Sequence, residues 1–526
     1  LSRTVYNFHM EKLKKIKPFL PYILIFSFAV VARLVPGPRS IDDSFITFRY
    51  ARNILAGEGF VYNPGEQVLG TTTPLYTLAM SGLGFISGGI NANFPQIAMV
   101  INALLDGFST VFLLLIGKKI GAHWAGIGAA IAWSIAPWSV SFAIGGMETS
   151  LYIFLLLGAW TAYIYQYYSL TSLAAAFAIL TRPEALALVL PLMVDRLFFD
   201  VKRRENKITI KEFLYFIIPL LLWFSFSYFY FGSFLPQSIA AKTDAYLIAP
   251  NSALVRFLQH YSTPFMEQGT FGISAIYFGF VFYPTLFLIG SYRILKKNWA
   301  YWPAVLFPIG YAVAFSFANP LIFRWYLSPP LPFFFIFVLF GLESLITDIF
   351  GVFKKKHFIK YFAPLLIIFL PFLLLLNNWT LKPDHGLRNP APEMAWNKLE
   401  LLYTKVGKEL ALEIEMNPDA VLAAGDVGAL GYFSNADILD TVGLISPQAL
   451  NYYPLAEELY SDFSYAISPE LILKNQPDYF VALEVYIRSG LLNNKSFLNA
   501  YSLINKIETD IYGSEGLLIF KRNKIR

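Results

Sequence analysis

The chain of 526 residues contains no cysteine, so it has no disulfide framework, no thiolate nucleophile and no cysteine-ligated metal. Charge is scarce too. Asp, Glu, Lys and Arg make up 14% of the residues, where a soluble domain carries about a quarter. That shortage excludes an ordinary water-soluble protein for most of the length. No basic patch of the kind that binds nucleic acid is present, so nucleic acid is excluded as a partner. Internal repeats are missing as well, which argues against the duplicated halves of many transporters.

What the chain has in excess is apolar sequence. Hydrophobic residues reach 56% and the mean hydropathy is +0.52. A spanning helix needs about 20 apolar residues, and such runs fall near 18–36, 94–116, 121–142, 149–167, 213–231, 271–290, 299–318, 325–346 and 359–378. The basic clusters Lys12–Lys17, Lys118–Lys119, Lys202–Lys211, Arg293–Lys297 and Lys354–Lys360 should all be cytoplasmic. Parity then decides two regions. The Gly- and Ser-rich run 75–90 stays external, as a helix on or dipping into the membrane. The region 170–199 is interrupted by Thr181-Arg182-Pro183-Glu184 and reads as two short helices meeting at a charged turn. A break of that kind is tolerated at membrane depth only where it is buried in protein or lines a cavity. The first run has no small-residue cleavage site and reads as an uncleaved helix, with Met10 a candidate start. The expected architecture is a polytopic α-helical membrane protein with about 11 transmembrane helices, N-terminus in and C-terminus out.

From residue 379 the density of Asp, Asn, Lys and Glu rises to that of a soluble domain. A helical pattern covers 391–416, and short apolar runs at 420–424, 438–442, 479–483 and 516–520 predict strands. The division expected is a transmembrane catalytic domain over 1–378, with a catalytic loop at 37–93, followed by an extracytoplasmic α/β domain over 379–526. Two glycosylation sequons, Asn378-Trp379-Thr380 and Asn494-Lys495-Ser496, fall on the outer side of this topology.

The chain is organised around the stretch Ser40–Pro74, SIDDSFITFRYARNILAGEGFVYNPGEQVLGTTTP, directly after the first apolar run. It opens on the paired carboxylates Asp42 and Asp43 and continues with Arg49 and Arg52. With the expected topology the other unusual charges gather on the same face: Glu148 in GGMET, Arg182 and Glu184 at the broken helix pair, Lys242 and His260 in one loop, and Arg324 at a helix start. Charges at membrane depth cost about 2.5–3.5 kcal/mol each on insertion scales, so their convergence points to function. Individually they have plainer uses. Asp42 and Asp43 suit the N-terminus of the helix that follows, Arg49 and Arg52 suit an interfacial anchor, and Arg182 with Glu184 suits a local ion pair.

The chemistry that fits is sugar transfer from a polyprenyl-phosphate donor. The phosphate leaves without a general acid, whereas the acceptor hydroxyl needs a base. One carboxylate of the acidic pair supplies that base, and fixed cations hold the charge that builds on the departing phosphate. Arg49, Arg52, Glu148, Arg182, Glu184, Lys242, His260 and Arg324 are the candidate donor-binding residues. One base and direct displacement mean inversion at the anomeric carbon.

The stretch IDDSFITFRYARNILAGEGFVYNPGEQVLGTTTPLY resembles the first loop of the GT-C superfamily of polyprenyl-phosphate-sugar glycosyltransferases, and most of all the actinobacterial terminal arabinofuranosyltransferases of cell-wall arabinan. GGMETSLY, LTRPEAL, FLPQSIAAKT, AAGDVGALGYFSNADILDTVGLISPQ and QPDYFVA follow in the order of that pattern. Gln237 stands where the pattern has Asn, and Thr73 where Ser is commoner. The resemblance implies the GT-C fold, a polyprenyl-phosphate donor, a glycan, lipid or protein acceptor, and an active site on the extracytoplasmic face of the cell membrane. It puts the base in the acidic pair, with Asp42 favoured and Asp43 as its partner. No cofactor is required by it. Some relatives use a divalent cation, for which Asp42, Asp43 and Glu148 are the candidate ligands. The alternative reading is a transporter or flippase of lipid-linked sugars, which shares the apolar spans and the buried charges.

Overall fold

The computed structural model describes residues 17–200, 202, 207–265, 272–352, 356–377, 395–460 and 464–523. Met10 and the sequon at 378–380 lie outside them. Among the described residues sixteen helices precede the C-terminal domain: α1 Leu20–Leu34, α2 Asp42–Ala56, α3 Pro74–Ser87, α4 Phe94–Ile120, α5 His123–Ile135, α6 Pro137–Ile144, α7 Thr149–Ile164, α8 Tyr168–Thr181, α9 Leu186–Val194, α10 Ile210–Phe231, α11 Gln237–Asp244, α12 Ser252–Ser262, α13 Ile273–Lys297, α14 Trp302–Ala318, α15 Leu331–Val352 and α16 Lys356–Asn377. Between them lie short 3-10 turns, a π-helical turn at Asp195–Asp200 and one helical turn at Arg324–Leu327.

Among the described residues five helices are long and apolar enough to cross a membrane: α4, α10, α13, the run Trp299–Ala318 that contains α14, and α15. The bent pair α5 and α6, at 48°, makes a sixth if it is one span. Four shorter apolar helices lie at Leu20–Leu34, Thr149–Ile164, Tyr168–Thr181 and Tyr361–Leu376. The chain is a multi-pass helical membrane protein. The break expected at Thr181-Arg182-Pro183-Glu184 is present, because Arg182 is extended (φ −154°) and Pro183 cannot continue α8.

The helices pack through small residues where their backbones touch. A Cβ on Gly290 of α13 would lie 2.1 Å from the Phe337 carbonyl oxygen, and one on Gly341 of α15 would lie 1.9 Å from that of Leu286. Without a hydrophobic drive between helices in lipid, that closeness supplies the packing energy. An ion pair that the sequence reading did not single out is buried among α1, α4 and α5. Arg33 Nε donates to Asp106 at 2.8 Å, and Asp106 also accepts from Trp133 Nε1 and Ser150 Oγ.

The C-terminal domain begins with α17 Ala395–Met416. Its mixed sheet comprises β1 Val421–Ala424, β2 Asp437–Asp440, β3 Tyr479–Leu483, β4 Tyr501–Ile507 and β5 Leu517–Arg522, in the order β2-β1-β3-β5-β4. β1 is parallel to β2 and β3, while β5 is antiparallel to β3 and β4. The expected strands are there. β4 is an addition, and its signal was weak because it is an edge strand with five of its seven residues exposed. α18 Gly428–Ser434, α19 Pro469–Asn475 and α20 Lys495–Ala500 complete the domain. Asn494 of the second sequon caps α20, accepting from Phe497 N–H at 3.1 Å.

One hydrophobic core runs from this domain into the loop region. Phe45, Phe48, Tyr50 and Tyr62 pack in the same cluster as Leu422, Leu430, Ile445 and Phe480. The domain is therefore fused to α2 by a shared interior.

Candidate active site

α2 carries Asp42 and Asp43 in its first turn, where negative charge suits the helix dipole although neither side chain caps the helix, and Gly57, at φ 85°, closes its last. At its start the two adjacent carboxylates take different directions. Asp42 is buried, and its two oxygens accept from Gly428 N–H (2.8 Å) and Ala429 N–H (2.7 Å) at the head of α18. Its own N–H donates to Glu400 Oε1 of α17 at 2.9 Å. Gly428 is required there, since a Cβ would lie 1.8 Å from the Asp42 carbonyl oxygen. Burial pushes the Asp42 carboxyl up to about 8, helped by Asp426 and opposed by the two N–H donors.

Asp43 faces open space. Two cavities border it, and another adjoins them at Lys242. The first, about 1590 Å³ counted out to its mouth, is apolar and lies between α9, α11 and α14, with Leu186, Leu190, Leu306 and Phe315 among its walls. The second is polar, about 460 Å³, and is lined by Asp43, Thr71, Thr73, Glu148, Arg182 and Lys242. Thr72, Ser238, Lys242 and Tyr326 line both. The third, about 790 Å³, lies against the C-terminal domain and shares Asp43, Ile46, Lys242, Trp325 and Leu444 with the second. Lys242 borders all three, and Asp43 stands between the polar cavity and the third.

The electrostatics of the polar cavity are those of an anion site beside a base. Arg182 Nε donates to Glu148 Oε1 at 2.6 Å, and this buried pair leaves Arg182 Nη1 without a protein partner. Ser238 Oγ is buried and unpartnered as well. Lys242 Nζ donates to Tyr326 Oη at 3.3 Å. Burial opposes the Lys242 ammonium, but Tyr326 and Asp43 outweigh it and hold the group above its ordinary value. Burial pushes the Asp43 carboxyl up, with Lys242 and Arg182 pulling against it and Glu148 adding to it. A raised carboxylate is a stronger base than a free one.

Other sequence candidates lie elsewhere. Arg49 is buried and donates to the carbonyl oxygens of Tyr62 (2.9 Å), Gly431 (2.7 Å) and Ala436 (2.7 Å), and Arg52 donates to that of Tyr432 at 3.0 Å. These bonds join the loop to the C-terminal domain, and neither arginine lines the three cavities. His260 packs against Trp138 and lines none of the three cavities. Burial pushes it down to about 4, leaving it neutral. Arg324 sits over the Trp138 ring, 5.7 Å from its centroid, outside the cavity walls. Glu184 lines the apolar cavity, with Oε2 unpartnered. Ser238, Tyr326, Trp325, Glu400 and Asp426 were not singled out from the sequence. Asp426 had a signal in the GDVG turn after a predicted strand; the others had none.

The three expected ligands do not come together as a divalent-cation site. Asp42 is filled by two N–H donors and Glu148 by Arg182, which leaves Asp43 alone of the three expected ligands. Among the described residues no group of three His, Asp or Glu side chains is placed to hold a metal.

Three comparisons bear on this arrangement. Residues 393–520 match a family model described as a domain of unknown function (DUF8728). A terminal beta-(1->2)-arabinofuranosyltransferase of Mycobacterium tuberculosis is 25% identical over 227 residues, covering 39% of this chain and 35% of that protein. The match thus spans about a third of the length of that relative. Among solved structures, ArnT from Cupriavidus metallidurans bound to undecaprenyl phosphate superposes with TM-score 0.55 at 11% identity, over 97% of this chain and 98% of that one. The oligosaccharyltransferase of Archaeoglobus fulgidus gives 0.54 at 13%, over 94% and 72%. The chain shares the fold of these two structures, in keeping with the GT-C fold expected from the sequence.

Proposed function

We propose that this chain is an inverting glycosyltransferase that moves a sugar from a polyprenyl-phosphate donor to a hydroxyl of an extracytoplasmic glycan, lipid or protein. The observation that carries the reading is the junction at Lys242, where an apolar cavity, a cationic pocket and a third cavity meet, with Asp43 bordering the last two. The lipid tail occupies the apolar cavity. Arg182, Lys242 and Ser238 hold the phosphate through donors that the protein leaves unpartnered or turned to the cavity. The sugar then lies beside Asp43.

In the reaction the acceptor oxygen attacks the anomeric carbon while Asp43 takes its proton. The bond from that carbon to the phosphate oxygen breaks, and its electron pair stays on the phosphate. Arg182 and Lys242 hold that charge in a site poor in water, where fixed donors count most. Of the two carboxylates among the described residues lining the polar cavity, Glu148 is committed to Arg182 and Asp43 is in no ion pair. One displacement, and inversion, follow.

The topology expected from the sequence belongs to this proposal: eleven spans, N-terminus inside, with the site and C-terminal domain on the outer face of the cell membrane. The similarity to a relative named for arabinofuranosyl transfer, and the undecaprenyl phosphate in the superposing structure, support a lipid-phosphate donor. The test is mass spectrometry of lipids that co-purify with the protein, followed by transfer to acceptor in detergent. The expected result is a polyprenyl-phosphate sugar enriched on the Asp43→Asn protein and consumed by the wild type. Equal loading of both with an intact lipid-linked glycan, and no transfer, overturns the proposal in favour of a flippase.

A further inference from the structure

The third cavity is built differently from the other two. Six of its lining residues follow the three parallel strands of the C-terminal domain at their carboxyl ends. Gly425, Asp426 and Val427 follow β1, Val442 and Leu444 follow β2, and Tyr486 follows β3. That edge of a parallel sheet is where open α/β sheets bind ligands, because the loops diverge there and expose side chains. Here it is closed by Asp42, Asp43, Lys242 and Tyr246 from the membrane region and by Leu399 and Glu400 from α17.

The chemistry of the walls is specific. Four carboxylates, Asp42, Asp43, Glu400 and Asp426, face one cation, Lys242, among the lining residues. Asp42 is used by α18; Asp43 has no hydrogen-bond partner among the described residues, and Glu400 and Asp426 keep acceptor capacity beside partners they already have. Glu400 is 3% exposed; its Oε1 is bonded to the Asp42 N–H while its Oε2 has no protein partner. Asp426 Oδ2 accepts from Tyr403 Oη at 2.7 Å and the Tyr486 hydroxyl also bonds this carboxyl, while the residue remains partly open to the cavity. Tyr246, Tyr465, Tyr486 and Tyr512 supply aromatic faces. Carboxylate oxygens that accept from hydroxyls, beside aromatic faces that stack on C–H surfaces, recognise a neutral polyol. An anion would enter beside four crowded carboxyls, Asp42 among them already pushed up to about 8, with Lys242 as the single cation in the lining, and the carbonyls of Val427 and Thr441 are taken by Tyr62 and Tyr453 and so are not offered to a peptide.

We propose that the cavity at the carboxyl ends of β1, β2 and β3 is the acceptor subsite, that Asp426 and Glu400 hold hydroxyls of a neutral sugar there, and that it refuses acceptors carrying phosphate or carboxylate. This rests on the transferase reading, because it is Asp43 that joins the cavity to the donor. Asp426 and Glu400 are positioning residues in it and move no proton of the transfer. The C-terminal domain thereby becomes a wall of the active site and sets which molecule is glycosylated.

Binding tests it without turnover. The full chain in lipid nanodiscs is titrated with a panel of neutral n-octyl furanosides and pyranosides and with the same glycosides bearing a phosphate on the primary hydroxyl. Undecaprenyl phosphate binding is measured on the same samples. At least one neutral glycoside should bind saturably, and its phosphorylated form at least tenfold more weakly. Asp426→Asn and Glu400→Gln should each lower affinity for the neutral glycoside about tenfold and leave undecaprenyl phosphate binding unchanged. Tyr512→Ala, at the exposed rim, should weaken the glycoside with no change in melting temperature, which covers the case in which a buried variant misfolds. The proposal is overturned if no neutral glycoside binds, if the phosphorylated forms bind as well, or if the variants bind like the wild type. The two readings fail separately. Loss of glycoside binding in Asp426→Asn beside full turnover in Asp43→Asn would sink the catalytic assignment and keep the subsite, and the converse pattern would do the reverse.

Discussion

Replacing Asp43 with Asn removes the acceptor's base and little else. The change is nearly isosteric, and the Asp43 carboxylate accepts no hydrogen bond from the described residues, so no buried donor is orphaned. What is lost is the proton acceptor at the junction of the polar and third cavities. General-base catalysis contributes about 100- to 10,000-fold, equivalent to about 2.7–5.4 kcal/mol at 1.36 kcal/mol per decade. Transfer by Asp43→Asn should fall by that factor, with donor retained and melting temperature near that of the wild type. Its neighbour behaves in the opposite way. In Asp42→Asn one oxygen becomes an amide that cannot accept from Gly428 or Ala429, and an unsatisfied buried donor costs about 1–3 kcal/mol. That variant should be less stable yet transfer within a few-fold of wild type once folded. The assay is single-turnover transfer from co-purified donor, with thermal unfolding on the same preparations. Turnover by Asp43→Asn within threefold of wild type refutes the assignment, and so does loss of turnover by a folded Asp42→Asn.

Three further expectations come from the same geometry. Arg182→Gln should weaken undecaprenyl phosphate binding at least tenfold, as read by titration in nanodiscs. The Glu148→Gln, Arg182→Gln double variant should regain stability, because the unpaired buried carboxylate is removed, but not binding. Arg49→Ala strips three carbonyl oxygens of their charged donor and should cost about 3–5 kcal/mol, read as early unfolding of the C-terminal domain in hydrogen exchange. The pH profile should carry the sign of the Asp43 shift. A base works unprotonated and its carboxyl is raised, so the acid limb of the transfer rate should lie above the ordinary carboxylate range of about 4. Activity should rise with pH through that limb, and a limb at or below pH 4 contradicts a buried base.

The contrast between Asp42 and Asp43 shows how far the chain could be read unfolded. The sequence named the acidic pair, its place at the start of a helix and both plain uses of it, capping and catalysis. The structure distributes those uses: Asp42 caps, though it caps α18, which lies 386 positions further along the chain, and not the helix it begins. No local rule reaches that far. The same holds for Arg49 and Arg52. Their type and spacing promised phosphate, and tertiary packing committed them to carbonyls of the C-terminal domain.

By itself the sequence determined the membrane class, because apolar runs must hydrogen-bond their own backbone in lipid and therefore form helices. It determined the break at Arg182, because proline ends a helix, and the α/β character of the C-terminal segment, because strand runs alternate with helical ones. It also placed Lys242 and Arg182 among the candidates, because buried cations need a reason. Only the tertiary structure decided which carboxylate is free and which cations share its cavity. It alone decided that a sheet from the end of the chain closes the site. Those outcomes depend on which side chains meet across hundreds of residues, and that is set by packing and by the satisfaction of buried polar groups.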